Sequence, residues 1–283
     1  MLSDIVEFIR KKGFNYYSVT EILDGVSNTV EINPAPYCTD VYSVSKFVTM
    51  IGIGLLFDEG KLTPDDKIVD IIGDVPEIRE KKWLDVTVGN CLNHKTGLIN
   101  GNLDIDSSSY DEDTIDWLSY IFAMPIEGER GVDYHYTDAA YYLLSRGITA
   151  LTGENAFDFV FRRVLAPLRF KECAASVCPK GYFLGGSGVM ANDKDLAKLG
   201  LLWMNGGVFD GKRYISQKWV DLTMENSYGV DERKEYPGFY YKTGANSQIL
   251  CFISPEKRVL MLRGYCPADC RTELIDAFFK KEI

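Results

Sequence analysis

The chain has 283 residues, of which 46% are hydrophobic and 25% are charged. This length and composition are typical of a folded globular protein with a substantial core, and they exclude extensive disorder. The 41 Asp and Glu residues outnumber the 31 Lys and Arg residues, giving a formal net charge of -10, so we expect neither nucleic acid nor an anionic membrane as a partner.

The N-terminal segment, MLSDIVEFIRKKGF, contains neither an apolar signal core nor a small-residue cleavage site. No stretch of the sequence reaches the roughly 18 consecutive apolar residues of a membrane span. From these two features we expect a cytoplasmic protein.

The cysteine and histidine content argues against disulfides and metal. Seven cysteines, an odd number, without a signal peptide favour free thiols. The closest cysteine spacings do not match a zinc knuckle, and the chain has only two histidines. We therefore expect no bound metal and no cofactor.

Hydrophobic periodicity and turn residues predict the elements in chain order. A helix over 2–12 precedes a hairpin centred on Asp24-Gly25, and a helix that is apolar nearly all round follows from 43 to about 58. An acidic surface loop is expected at 101–113. Further helices are predicted at about 138–153, 155–166, 193–205, 216–225 and 267–281, with strands at 238–244, 247–254 and 257–265.

Strands at both chain ends and helices in the middle predict an α+β fold. We expect one antiparallel sheet built from both termini and flanked by helices. No repeat and no linker is evident, so we expect a single domain over 1–283. Its α/β part would comprise 1–40 and 192–283, and its mainly helical part 41–191.

Ser43-Val44-Ser45-Lys46 opens the buried helix and has two interpretations. Ser43 could cap the helix while Lys46 reaches solvent, or the two could be a nucleophile and its base. Helical spacing places Ser43 beside Lys46, whereas Ser45 faces elsewhere. Burial and the helix N-terminus should both lower the pKa of Lys46, and the N-terminal N–H groups could bind an oxyanion. Ser254-Pro255-Glu256-Lys257 repeats the spacing in a predicted hairpin turn, where catalysis is not expected.

Two further segments contain candidate site residues. Tyr136 and Asp138 lie just before the predicted 138–153 helix, where a phenol could move protons or could simply pack. Lys242 lies on a predicted strand two residues before Gly244, which would let a substrate approach the strand edge. Lys95-Thr96-Gly97 repeats this K-T-G pattern, but it is interpreted as a helix that ends on Gly97.

Taken in order, these segments resemble the serine β-lactamase and penicillin-binding-protein superfamily, which has S-x-x-K and K-T-G elements. The branch of class C β-lactamases, D-alanyl-D-alanine carboxypeptidases and esterases is the most similar. The resemblance covers about 40–265 and implies a β-lactamase/transpeptidase-like fold. It also includes the linking segments GLLFDEGKLTPDDKI, TVGNCLNHKTGL, YTDAAYYLLSRGITALTG and GSGVMANDKDLAKLGLLWMNGGVFDGKRYIS.

The resemblance implies a role for each matching residue. Ser43 would be the acylated nucleophile, Lys46 its base partner and Tyr136 a second proton-transfer residue. The strand that holds the substrate would comprise Lys242, Thr243 and Gly244. The backbone N–H groups of Ser43 and Ala245 would form the oxyanion hole, and both histidines, His94 and His135, would be structural.

The sequence departs from the family pattern in three places. Asp138 stands where the family commonly has Asn, and a carboxylate there should stabilise a protonated Lys46. The segment KTGANSQ is similar to an esterase-like G-x-x-G-Q variant, with Ser247 in place of the second glycine. The region before Ser43 is also short for the family.

These features predict a serine hydrolase that acts through a Ser43 acyl-enzyme on a small ester or amide. The alternatives are a β-lactamase or a D-amino-acid peptidase or carboxypeptidase that takes a β-lactam-like or peptide substrate. A third possibility is a binding module that kept the fold and lost turnover. The sequence does not specify an oligomeric state.

Overall fold

The computed structural model describes residues 2–99 and 116–280. Its strands are β1 Tyr16–Leu23, β2 Val26–Glu31, β3 Thr39–Asp40, β4 Cys173–Ala175, β5 Val189–Ala191, β6 Val208–Phe209, β7 Lys212–Arg213, β8 Asp231–Glu232, β9 Phe239–Gly244, β10 Gln248–Ile253 and β11 Arg258–Gly264.

The α-helices of the same ranges are α1 Leu2–Lys12, α2 Lys46–Asp58, α3 Ile68–Ile72, α4 Val88–Leu92, α5 Trp117–Ala123, α6 Asp138–Thr152, α7 Ala156–Val160, α8 Asp193–Met204, α9 Gln217–Glu225 and α10 Ala268–Phe279. Short 3₁₀ turns lie at Tyr42–Ser45, Lys81–Asp85, Ala245–Ser247 and Ser254–Glu256, and a π-helical turn at Phe161–Leu165 continues α7.

Strands from both chain ends form the main antiparallel sheet. Within the described ranges its order is β2-β1-β11-β10-β9-β8. The N-terminal hairpin reaches the C-terminal strands through the β1–β11 pair, in which Val19 lies opposite Leu262. The α+β fold predicted from the sequence is confirmed, including the Asp24-Gly25 hairpin turn that joins β1 and β2.

Helices cover both faces of this sheet. On one face, α1 and α10 bury apolar side chains such as Ile5, Ile9 and Leu274 against Ile249 and Leu262. On the other face, α8 packs directly on β11. Each face of the sheet therefore has its own apolar cluster, and the cluster on the α8 face continues into the helical region.

Helix α2 is the most buried helix of the helical region. Every residue from Lys46 to Leu56 is buried, as expected for a helix that is apolar nearly all round. Its glycines permit close packing, because a Cβ placed on Gly54 would lie 2.4 Å from the Trp219 ring in α9. The helix that begins at Lys46 is therefore held on several sides.

Three local predictions differ from the structure or lie outside it. The helix predicted from 43 begins instead as a 3₁₀ turn, Tyr42–Ser45, and becomes α-helical only at Lys46. The segment Lys95-Thr96-Gly97 does not end a helix, because α4 ends at Leu92 and His94 turns the chain with a φ of 57°. The loop expected at 101–113 lies outside the described residues.

Candidate active site

The turn that carries Ser43 lies between β3 and α2. The backbone N–H of Tyr42 donates to Asp40 Oδ1 at 2.7 Å, and Tyr42 adopts a φ of 48°. In the 3₁₀ turn that follows, side chains three residues apart eclipse, and Lys46 Nζ donates to Ser43 Oγ at 3.2 Å. The two residues are neighbours as predicted, although a 3₁₀ turn rather than an α-helix brings them together.

Ser45 is not available as a nucleophile. Its side chain is fully buried, and its Oγ accepts a hydrogen bond from Val189 N at 3.0 Å. Ser43 is only half-buried. Of the two serines in the tetrapeptide, only Ser43 can meet a substrate.

Lys46 lies at the centre of a buried polar cluster. Its ammonium is fully buried and ion-paired with Asp138, and it also contacts Tyr136 Oη at 2.6 Å and Gly186 O at 2.8 Å. With Ser43, this makes four acceptors around three N–H groups. Lys46 does not reach solvent, so the interpretation of the tetrapeptide as a cap with a solvent-exposed lysine is wrong.

The charge of Lys46 results from two opposing effects that the sequence indicated. Burial alone would lower the pKa of Lys46, but the charge of Asp138, followed by hydrogen bonds to Asp138 and Tyr136, raises it above the ordinary value. The prediction that a carboxylate at position 138 would stabilise a protonated Lys46 is therefore confirmed, and the lowering expected from burial is present but is outweighed. A paired carboxylate outweighs desolvation, and the resting Lys46 is protonated.

Tyr136 bridges Ser43 and Lys46. Its phenolic oxygen forms a hydrogen bond with Ser43 Oγ while accepting one from Lys46 Nζ. Burial raises the pKa of Tyr136, and the nearby Lys46 charge only partly offsets this rise. The phenol is neutral at rest and can pass a proton between the serine and the lysine.

His94 holds the segment that carries Tyr136. The two rings lie 4.6 Å apart at a tilt of 31°. His94 O accepts from His135 N at 3.0 Å, and His94 Nδ1 accepts from Thr137 N at 3.3 Å. Burial, followed by the charges of Lys242 and Lys46, holds the pKa of His94 well below its usual range, so the imidazole is neutral.

Asp138 begins α6 beneath this cluster. It is buried at the helix N-terminus, where the helix dipole favours a carboxylate. A Cβ on Gly186 would lie 2.6 Å from Asp138 Oδ1, so only glycine fits there. Gly186 therefore lets both its own carbonyl and the Asp138 carboxylate reach Lys46.

Lys242 lies on β9 close to this cluster. It is 6% exposed and makes no hydrogen bond or ion pair with any residue in the described ranges. Burial, reinforced by the charge of Lys46, lowers the pKa of Lys242 to about 8. Lys242 lines a cavity of about 460 Å³, together with His94, Tyr134 and Asp231.

The end of β9 lies directly against the turn that carries Ser43. A Cβ on Gly244 would lie 2.5 Å from Val41 O and 3.2 Å from Ser43 N. Glycine is thus required for the strand and the turn to approach this closely. Thr243 is half-buried and Ala245 begins the next 3₁₀ turn, but neither lines the cavity with Lys242.

The turn after Gly244 has an unusual backbone. Asn246 and Ser247 adopt φ angles of 54° and 66°, in the left-handed region that favours glycine. Ser247 Oγ donates to Pro267 O at 2.6 Å and to Cys266 O at 3.2 Å. These bonds hold Ser247 in this conformation at the position where the G-x-x-G-Q pattern has its second glycine.

Some residues of the site could not be selected from the sequence. The carbonyl of Gly186 and the carboxylate of Asp231 are brought in by loops and an edge strand that lie far from Ser43 in sequence. Tyr134 is one of several tyrosines close together in the sequence, and nothing in the sequence distinguishes it from the others. His94 was assigned a structural role, and its stacking on Tyr136 is a contact that only the fold creates.

The fold and the comparisons define the class of protein. The chain superposes on the D-amino acid amidase from Ochrobactrum anthropi SV3 with a TM-score of 0.77 at 17% identity, covering 99% of this chain and 100% of that one. It superposes on the penicillin-binding protein from Bacillus halodurans with a TM-score of 0.75 at 16% identity, covering 99% and 98%. The fold is therefore β-lactamase/transpeptidase-like, as the resemblance implied.

The sequence comparisons give the family. The profile described as Beta-lactamase matches residues 38–262, so the chain belongs to the β-lactamase family. It is also 25% identical over 198 residues to the 6-aminohexanoate-dimer hydrolase of Paenarthrobacter ureafaciens. That match covers 64% of this chain and 49% of the relative, so the matched region spans about half of the relative's length.

Proposed function

We propose that the chain is a serine hydrolase that acts through a Ser43 acyl-enzyme on a small ester or amide. The observation that carries this proposal is the hydrogen-bonded cluster of Ser43 Oγ, Tyr136 Oη and Lys46 Nζ. A serine hydroxyl needs an adjacent group to take its proton, and this cluster provides one. Relatives named as a 6-aminohexanoate-dimer hydrolase and a D-amino acid amidase support this reaction class.

The proton inventory of the cluster defines the first step. Because Lys46 is protonated at rest, it must pass a proton to Asp138 before it can accept one. Lys46 then takes the Ser43 proton, directly or through Tyr136, while Ser43 Oγ forms a bond to the substrate carbonyl carbon. This transfer converts the ion pair into two neutral groups. The free-energy change is modest, because the two side chains are only 0% and 7% exposed and separate charges are costly to bury.

The second step releases the leaving group. Lys46 and Tyr136 return the proton to the leaving nitrogen or oxygen as the tetrahedral intermediate collapses. Backbone N–H groups of Ser43 and Ala245 would stabilise the oxyanion, an arrangement supported by the close approach of Gly244 to Ser43 N. Water then hydrolyses the acyl-enzyme and restores the free serine.

Lys242, Thr243 and Gly244 are proposed as the edge against which the substrate lies.

The whole chain, 1–283, would act as one catalytic domain, with an α/β part at 1–40 and 192–283 and a helical part at 41–191. A continuous sheet made from both chain ends supports this division.

We also propose a cytoplasmic location. None of the helices within 2–99 and 116–280 is long and apolar enough to cross a membrane.

A panel of substrates tests the proposal and ranks its alternatives. The panel contains p-nitrophenyl esters, D-alanyl peptides and a chromogenic cephalosporin, which separate esterase, D-amino-acid peptidase and β-lactamase activity. We expect turnover of at least one substrate class, and a loss of about a thousandfold or more in Ser43→Ala. Equal rates for Ser43→Ala and wild type would contradict the proposal.

A binding module without turnover is the second candidate. The observation that favours it is the protonated resting state of Lys46 beside Asp138. Such a module would bind a substrate-like ligand, and this binding would raise the thermal melting temperature of the protein. No product would form from any member of the panel. The same panel therefore distinguishes the two candidates.

A further inference from the structure

One peptide group, between Gly244 and Ala245, connects the side chain of Arg271 to the proposed oxyanion hole. The N–H of this group belongs to Ala245 and is one of the two proposed oxyanion donors. Its carbonyl belongs to Gly244 and accepts a hydrogen bond from Arg271 Nη1 at 3.3 Å. The peptide bond is trans, so its C=O and N–H point in opposite directions within one plane. A donor that fixes the carbonyl therefore also fixes the direction of the N–H.

The charge of Arg271 is not neutralised by a neighbouring carboxylate. Arg271 lies near the start of α10 and is half-buried. Two carboxylates further along the same helix, Glu273 and Asp276, pair with other cations. In the described part of the chain, Arg271 forms no ion pair. Its guanidinium is thus available to the carbonyl of Gly244.

The segment that leads into α10 anchors the rest of the same turn. Cys266 N donates to Asn246 O at 3.2 Å, and Ser247 Oγ donates to Pro267 O at 2.6 Å. These bonds maintain the left-handed backbone of Asn246 and Ser247, but they act on later peptide groups. The peptide group that carries the oxyanion donor is instead held by Arg271.

A cation at the carbonyl oxygen also changes the N–H of the same peptide group. It draws electron density toward the oxygen, and hydrogen bonds that share a peptide group strengthen one another. The N–H of Ala245 is then a better donor to the negative charge that develops on the substrate oxygen. Stabilisation of that charge is commonly the largest contribution to catalysis of acyl transfer.

We propose that Arg271 is a positioning residue for the oxyanion hole, which orients and polarises the Gly244–Ala245 peptide group through its bond to Gly244 O. This inference rests on the serine-hydrolase function proposed above and adds a residue to that site. Because Arg271 acts through the peptide group, its contribution arises as the oxyanion forms. It should therefore appear in kcat rather than in KM.

Arg271→Met tests this role, since it removes the charge and the donors but keeps an extended side chain. Acylation and deacylation both pass through an oxyanion, so both should slow. With a p-nitrophenyl ester we expect kcat to fall about tenfold or more with little change in KM, whereas loss of a direct donor costs about a hundredfold to a thousandfold. Arg271→Lys keeps a cation and should lose less. Guanidinium ion added to Arg271→Ala should restore part of kcat.

A thiono ester, in which sulfur replaces the carbonyl oxygen, distinguishes positioning from a merely structural role. Sulfur is a weak hydrogen-bond acceptor, so the ratio of the oxygen-ester rate to the thiono-ester rate reports on the oxyanion hole. This ratio should fall in Arg271→Met. Arg233→Met is the matched control, because it removes a cation that pairs with Asp276 of α10, and it should keep the wild-type ratio.

Three results would overturn the positioning role. The first is wild-type kcat in both Arg271→Met and Arg271→Lys. The second is a loss of kcat that leaves the oxygen-to-sulfur ratio unchanged. The third is a loss confined to the KM of substrates that have a carboxylate, which would make Arg271 a substrate ligand instead.

Labelling with a fluorophosphonate separates this inference from the proposed function. Each Arg271 variant should still form the Ser43 adduct on long incubation, which shows that the nucleophile is intact. A wild type that labels and turns over substrate, with Arg271 variants that match it, overturns the positioning role alone. A wild type that forms no adduct and hydrolyses no substrate overturns the hydrolase proposal together with it.

Discussion

Asp138 determines the charge of Lys46 and therefore the proton balance of the site. The Lys46–Asp138 pair is active when the two side chains share one mobile proton. A second proton on this pair would leave no site for the proton of Ser43. The apparent pKa of the acidic limb of the pH–rate profile is thus a property of the pair rather than of either residue.

Asp138→Asn should move that acidic limb to higher pH. Without the carboxylate, burial would dominate and lower the pKa of Lys46. The neutral amine would then be the active form, and activity would be lost as the pH falls through the lowered pKa of Lys46. The measurement is kcat/KM against pH for both proteins. An unchanged profile would contradict this account of Lys46.

His94 should make the folded protein less stable in acid. Its pKa is lowered in the folded state, so between this pKa and the ordinary value of about 6.5 the unfolded chain binds more protons. Stability is therefore fully present above pH 6.5 and declines as the pH falls below it, by at most about 1.4 kcal/mol per pH unit.

Thermal melting between pH 5 and 8 measures this effect. His94→Gln should show a flatter dependence than wild type, because the substituted side chain does not titrate. His135→Gln is the matched control, since it removes the other histidine, which is only half-buried, and it should keep the wild-type slope. Equal slopes for all three proteins would contradict the assignment to His94.

The contact between β9 and the turn that carries Ser43 joins the two parts of the site. Gly244→Ala would place a methyl group 2.5 Å from Val41 O and 3.2 Å from Ser43 N. The strand and the turn must separate to accommodate it, and misplacement by 1 Å can cost about a hundredfold in rate. We expect a loss of that order in kcat with little change in KM for a small ester.

Thermal melting and steady-state kinetics of Gly244→Ala test the contact together. A fall in kcat with a preserved melting transition is the expected result. A variant with wild-type kcat would show that the spacing between this strand and the turn is not required.

Helix α1 should contribute to stability without contributing to catalysis. Ile9 is 0% exposed between α1 and the sheet, so Ile9→Ala should cost about 2–5 kcal/mol of unfolding free energy. Glu7→Ala, an exposed position on the same helix, is the matched control and should change stability little. Denaturant unfolding gives the first quantity, and fluorophosphonate labelling of Ser43 should persist in both variants. Equal unfolding free energies would contradict the packing of α1 on the sheet.

Viewed over the whole molecule, the elements with strong periodicity were predictable, whereas the balance between burial and charge at Lys46 was not. The β1–β2 hairpin, β9 to β11 and α6 follow from alternation, turn residues and helix caps. Helix α5, Trp117–Ala123, was not predicted, because it is short and follows a polar segment. The sequence identified Ser43, Lys46, Tyr136 and Lys242 as candidates and indicated opposing effects of burial and of Asp138 on the pKa of Lys46, but it did not give the larger of the two.

The physical reason is that a pKa depends on neighbours that only the fold assembles. Asp138 lies 92 residues from Lys46 and Gly186 lies 140 residues away, yet both contact its ammonium. Local sequence indicated burial and a helix terminus, which act on lysine in one direction. The carboxylate acts in the other direction, and its strength depends on a close contact that spacing along the chain does not specify.

The central claim is that Ser43 is the nucleophile, and intact-mass analysis after fluorophosphonate treatment tests it most directly. Wild type should gain one adduct, and peptide mapping should place it on Ser43. Ser45→Ala should label like wild type if the lost bond from Val189 N is tolerated, and Ser43→Ala should not label at all. No adduct on wild type, or an undiminished adduct on Ser43→Ala, would contradict the account.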